Sequence, residues 1–221
     1  MEPMVAPVKP PRSYDSTERR RRAQQQHEIT LRTARILFDQ DGYTATTVDA
    51  VAASAGVSAA TIYKSYGGKS GLVRELCRRA LEGDGPTPAQ TRSDALRNSP
   101  DARTIIEGWG NLAAEVSPRV SPLMLLLRAA AVNDPEAATL LAEIDRARLR
   151  RMSDNARALS DAGHLRKGVS VHEARDVLWL YTSAEMYELL IVRRRWTRAT
   201  FASFLTATMT ALLLPIGSTT R

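Results

Sequence analysis

Between Ser58 and Lys69 the chain sets small, hydroxylated, phenolic and cationic side chains at helical spacing: Ala59, Ala60, Thr61, Tyr63, Lys64 and Tyr66, then Lys69. At about 100° per residue, Ala60 and Lys64 fall opposite Ile62 and Tyr66, with Thr61 and Tyr63 on the flanks. Such an outer face suits a nucleic-acid groove. Alanines let the backbone come close, Thr and Lys can bond to base edges, and Tyr and Lys can bond to phosphates. No other chemistry is concentrated in this way. His27, His164 and His172 are dispersed without metal-ligand spacing, Cys77 is the single cysteine, and no glycine-rich phosphate loop follows a strand pattern. Gly56-Val57-Ser58 and Gly168-Val169-Ser170 lack the strand-turn-helix setting of a serine nucleophile. The reading is therefore of no enzyme, no metal and no cofactor.

The elements that would hold this face form a corner. Two short helical patterns in Thr46 to Lys69 are joined by Ala55-Gly56-Val57-Ser58. Gly56 supplies the positive φ of the turn, Ala52 allows close helix contact, and Val48, Val51, Val57 and Ile62 fill the wedge. Ser58 stands where its hydroxyl can cap the second helix, Thr46 or Thr47 where one can cap the first, and Gly67-Gly68 where the second must stop.

Thr46-Thr47-Val48, Ala55-Gly56-Val57-Ser58, Thr61-Ile62-Tyr63, Tyr66 and Lys69, preceded by Phe38 and Gly42-Tyr43, resemble the DNA-binding region of the tetracycline-repressor (TetR) family of bacterial regulators. The resemblance runs without a gap from about Ile29 to Leu76. It implies an all-α protein: a three-helix helix-turn-helix domain whose third helix enters the major groove, then a larger helical domain for dimerisation and ligand binding. Carried onto these positions, Ser58 caps the recognition helix beside a phosphate, and Ala60, Thr61 and Lys64 face bases. Tyr63 and Lys69 hold the backbone, Thr46 and Thr47 anchor the preceding helix, and Ala59 and Tyr66 complete the DNA-binding set. One departure is Ser70-Gly71, where the family often has acidic residues; Gly71 is expected to weaken the start of the fourth helix.

Charge supports the assignment. Of a net +7 over 221 residues, most lies in residues 1–80, with 13 Lys/Arg against 8 Asp/Glu, which favours a polyanionic partner for that part. Residues 1–22, with four prolines and Arg19 to Arg22, read as a disordered basic tail, either an arm on DNA or simply solvated. Residues 23–82 read as the DNA-binding domain and 83–221 as the effector-binding and dimerisation domain. Met1 to Arg22 has no apolar signal run and no stretch suits a membrane span, so the expectation is a cytoplasmic chain without membrane contact. Cys77, among Arg74, Arg78 and Arg79, reads as a plain helix cysteine, with a lowered thiol pKa as the alternative.

Helices are expected over Gln25–Asp41, from Lys69 to about Leu81, and over Ala102–Val116, Pro118–Val132, Pro135–Ala162, His172–Arg195 and Arg198–Leu214, with a linker from Gly83 to Pro100. The last two are apolar over much of their surface, from Val177 to Val192 and from Phe201 to Leu213, which points to a homodimer through that pair. A pocket for a small apolar or aromatic effector is expected among Trp109, Met124, Leu127, Trp179, Tyr181, Met186 and Tyr187, with Asn111, Arg128, Asn133 and Glu185 as possible polar anchors. The function so read is a dimeric regulator, a repressor, on a palindromic double-stranded DNA operator, released by its effector. The alternatives are a nonspecific DNA-binding accessory protein and a ligand-binding bundle without a regulatory role.

Overall fold

The computed structural model describes residues 16–83 and 85–215, and among these all regular structure is helical. Helix α1 (Ser16–Ala45) starts earlier than the sequence suggests. Glu18 bonds Arg21 and Arg22 one turn on, so the last part of the predicted tail, residues 16–22, belongs to the helix; residues 1–15 of that tail lie outside the described residues. Gly42, at φ 80°, breaks the helical path where a stop was predicted.

Helices α2 (Val48–Ala55) and α3 (Ala59–Tyr66) form the corner. Gly56 takes φ 68° and its N–H, with that of Val57, closes the end of α2. Thr47 caps α2 through Ala50 N–H, and Ser58 caps α3 through Thr61 N–H at 3.1 Å. Helix α4 (Lys69–Ala80) follows after Gly67 and Gly68, both at positive φ. Leu31, Ala34, Phe38, Val51, Ile62, Leu72 and Val73 are buried together. Leu123, Leu127, Ala137 and Leu140 from the two following long helices enter the same core.

Two departures follow from tertiary packing. The predicted linker contains α5 (Ala89–Leu96), because Ala89 is buried with its N–H on Glu82 O, Arg92 pairs with Glu115, and Ser93 O accepts from Trp109 Nε1. The two helices predicted on either side of Ser117 are one, α6 (Ala102–Ala130), with Pro118 and Pro122 inside it. Each proline removes one backbone donor, but Ala114, Ser117, Ser121 and Leu123 are buried on either side and hold the turn in place. Helix α7 (Pro135–Asp161) starts where predicted, on an Asp134 cap.

The predicted helix His172–Arg195 is divided into α8 (Val171–Tyr181), α9 (Ala184–Tyr187) and a π-helical turn, Glu188–Arg193. The division falls at Thr182-Ser183: Thr182 Oγ1 returns to Leu178 O, and Ser183 caps α9, so both hydroxyls compete with the helical ladder. Helix α10 (Arg198–Leu213) packs along α6 and buries Phe201, Leu205, Met209 and Leu213, one per turn. Gly110 permits that approach, since a Cβ there would stand 2.5 Å from Thr206 Oγ1.

Gly71 has the opposite role to the one predicted. It is buried in the first turn of α4, and a Cβ there would collide with the Tyr66 carbonyl. The glycine lets α4 pack directly on the end of α3. Gly71→Ala is expected to destabilise the fold by about 1–3 kcal/mol in urea denaturation. Further along α4, Glu75 is held at about 2, first by its bond to Arg78 and then by Arg79, against desolvation. Arg79 also reaches Glu28 on α1 at 2.6 Å. An acid depressed in the folded state stabilises it above the unfolded pKa, and the gain is lost as pH falls toward the folded value. The stability difference between wild type and Glu75→Gln is expected to be on the order of 1–2 kcal/mol at neutral pH and to shrink steadily between about pH 4.5 and pH 2.

Candidate nucleic-acid interface and ligand cavity

Ile62 is fully buried, and it turns the rest of α3 outward. Ala60, Thr61, Tyr63 and Lys64 are exposed, with Tyr63 at 58%, and Ala59 is half-buried at the edge. No side-chain bond holds Tyr63 or Lys64 among the described residues, whereas Thr61 Oγ1 lies 2.9 Å from Ser58 Oγ. A phenol, a cation and a hydroxyl therefore surround an alanine floor. That arrangement fits a major groove, where the backbone must come close and polar tips must reach base edges and phosphates. Thr47, also exposed, presents its capping hydroxyl at the start of α2.

Three residues expected at DNA are turned inward. Thr46 is 2% exposed, and its hydroxyl donates to Gly42 O and Leu37 O, so it closes the α1–α2 junction. Tyr66 is half-buried and its hydroxyl lies 2.8 Å from His27 Nδ1, which braces α3 on α1. Lys69 Nζ donates to Tyr43 O, sits 4.2 Å from the centre of the Tyr43 ring and 3.9 Å from Asp134. A cation already shared among a carbonyl, a ring and a carboxylate is a poor phosphate clamp. Lys69 tethers α4 to the α6–α7 turn. Apart from Gly42, one helical turn from Thr46, these partners lie beyond the reach of helical spacing, at 9 residues for Leu37, 26 for Tyr43 and 39 for His27.

The arginines of α4 are likewise committed. Arg74 pairs with Glu143 on α7 at 2.8 Å, and Arg78 with Glu75 and Glu82. Burial pushes the Cys77 thiol up to about 12, with only a smaller opposing effect from Arg35. The activated-thiolate reading fails, since a protonated buried thiol is a poor nucleophile.

A cavity of about 410 Å³ lies between α4 to α8. Of the residues named for an effector pocket, Trp109 and Met124 line it, with Leu112, Val116, Val120, Ile144, Met152 and Leu178. Leu127 is instead fully buried against α1–α4. Trp179, Tyr181, Met186 and Tyr187 are not in its wall: Trp179 stacks under Arg148, Tyr181 meets Phe204, Tyr187 meets Phe201, and Met186 packs in the core beside α10. The break at Thr182-Ser183 accounts for the error, because helical spacing cannot be carried across it. Of the possible polar anchors, Arg128 lines the cavity and is joined there by Asp145, Arg148, Asn155 and Thr182, while Asn111 and Asn133 do not. Glu185 stands behind Arg128 as its ion-pair partner. Residues Asp145, Arg148 and Asn155 escaped the sequence reading because their run of alternating charges on α7 looks like a solvated face.

No described helix is long and apolar enough to cross a membrane, and the described residues contain no cluster of three or more His, Cys, Asp or Glu able to hold a metal. No curated protein is significantly similar in sequence. Residues 31–76 match the family described as bacterial regulatory proteins, tetR family. Among solved structures, the SmeT–triclosan complex aligns at a TM-score of 0.69 and 18% identity, over 87% of this chain and 93% of that one. NalD, the secondary repressor of the MexAB-OprM multidrug efflux pump in Pseudomonas aeruginosa, aligns at 0.67 and 16%, over 86% and 98%. Salmonella enterica GusR aligns at 0.62 and 17%, over 86% and 95%. These likenesses show a shared fold along nearly the whole described chain. Over residues 31–76, then, the chain is similar to the tetR family of bacterial regulatory proteins.

Proposed function

We propose that the protein is a homodimeric transcriptional repressor that binds a palindromic DNA operator and is released by a small molecule held in the α4–α8 cavity. The observation that carries this reading is the outer face of α3, where Ala60, Thr61, Tyr63 and Lys64 are exposed on a helix fixed from behind by Ile62, Tyr66 and Gly71. Ala60, Thr61 and Lys64 are assigned to bases, Tyr63, Ser58 and Thr47 to the phosphates beside them, and Ala59 to the close edge. The repressor role is supported by likeness to NalD, a repressor, and the effector role by likeness to SmeT, solved with triclosan. Residues 23–82 would serve as the DNA-binding domain and 83–221 as the dimerisation and effector domain.

Dimerisation has its own support. Leu180 on α8, Leu189 and Val192 in the π-helical turn and Leu212 on α10 remain exposed, at 51%, 48%, 45% and 36%. The half-buried Phe204 adds rings from Tyr181 and Trp196 around it. A surface this apolar on adjoining elements suits a two-fold four-helix interface. Two α3 helices held at one spacing would then read two half-sites.

Selection of bound fragments from random DNA is expected to return an inverted repeat; recovery without sequence preference would overturn the operator reading in favour of nonspecific binding. Lys64→Ala is expected to lower affinity for the recovered repeat roughly tenfold or more in anisotropy titrations. Replacing Leu180 and Leu189 together by Glu is expected to shift the light-scattering mass from that of two chains to that of one, and to weaken binding to the full repeat more than to a half-site.

A further inference from the structure

The polar end of the cavity is built from three charged side chains on two helices. Arg128 on α6 pairs with Glu185 and, at 3.3 Å, with Asp145 Oδ2. Arg148 on α7 donates from Nη1 to Trp179 O at 2.6 Å and lies over the Trp179 ring at 4.5 Å. Its Nη2 is 3.6 Å from Asp145 Oδ1, just beyond hydrogen-bond length. Asp145 Oδ1 is buried and has no hydrogen-bond partner among the described residues. A buried carboxylate oxygen without a donor is costly, and the cavity is the space from which a donor can come.

The charges here balance, with Arg128 and Arg148 against Asp145 and Glu185. An anionic ligand at Arg148 would meet the open Asp145 oxygen, and a cationic ligand at Asp145 would meet both guanidinium groups. A hydroxyl satisfies both sides, because it donates to Asp145 Oδ1 while it accepts from Arg148 Nη2. The rest of the wall is apolar, and Trp109 with the thioethers of Met124 and Met152 favours a ring. Desolvation holds the Arg148 guanidinium below its ordinary value, in keeping with a site poor in water.

We propose that the cavity takes an uncharged aromatic molecule carrying a hydroxyl, oriented by Asp145 and Arg148. This rests on the effector reading of the same cavity, and adds to it the charge and the polar group of the ligand.

The test is calorimetric titration of the full chain with four probes of one shape: 2-naphthol, naphthalene, 2-naphthoate and 2-naphthylmethylammonium. 2-Naphthol is expected to bind tightest, roughly fivefold to tenfold better than naphthalene, with the two ions weaker still. Asp145→Ala is expected to lower the melting temperature, because Arg128 loses an ion-pair partner, and to remove the advantage of naphthol while leaving naphthalene binding, which also reports that the variant is folded, in place. Val116→Trp, which fills the cavity, is expected to abolish binding of all four probes. Equal affinity for naphthol and naphthalene, a preference for either ion, or no binding by any probe overturns the proposal. Anisotropy with the operator fragment separates the two readings: naphthol that binds as described yet leaves DNA affinity unchanged supports this ligand chemistry and overturns the effector role.

Discussion

Helix α6 runs through both hydrophobic cores, and the arrangement of every other long element depends on it. Its first half sends Ile105, Ile106 and Trp109 into the core shared with α7, α8 and α10, and its last turns send Leu123 and Leu127 into the core of α1 to α4. A helix shared in this way makes two cores one mechanical body, since neither can repack without moving a rod common to both. The middle of the rod cannot serve either core. There Val116, Val120 and the serines beside Pro118 and Pro122 face the cavity, so the empty space lies where the two cores stop.

The corner at Ala55-Gly56-Val57-Ser58 was legible because its determinants are local. A left-handed glycine, a serine cap and an isoleucine opposite a small polar face need only helical periodicity to be placed, and the structure places them so. What failed was what depends on distant partners. Lys69 looks like a phosphate ligand in sequence, yet the Tyr43 ring, its carbonyl and Asp134 hold the cation, and Thr46 gives its hydroxyl to the Leu37 carbonyl as well as to that of Gly42 one turn back. The same holds for α5, whose weak pattern is stabilised by Glu82, Glu115 and Trp109 from other elements.

The cavity was legible only in its α6 wall. Trp109 and Met124 sit on an unbroken helix, so spacing carries the argument; the aromatic residues after Leu178 sit beyond a change of helical path that two hydroxylated residues impose. Charge misled in the other direction. Asp145 and Arg148 belong to a sequence run of interleaved acids and bases that normally faces water, and only the packing of α7 against α6 and α8 brings them to an apolar space.

The contact between Gly71 and the Tyr66 carbonyl is backbone against backbone. Side chains between two helices act as springs, since a change of rotamer can absorb a shift of an ångström or so before the neighbour has to follow. Here no spring exists. Helix α4 also borders the cavity through Cys77 and Leu81 and is fastened to α7 through Arg74 and Glu143. A displacement of α4 along that contact is therefore handed to the end of α3 without slack, as by a push-rod seated directly on its follower.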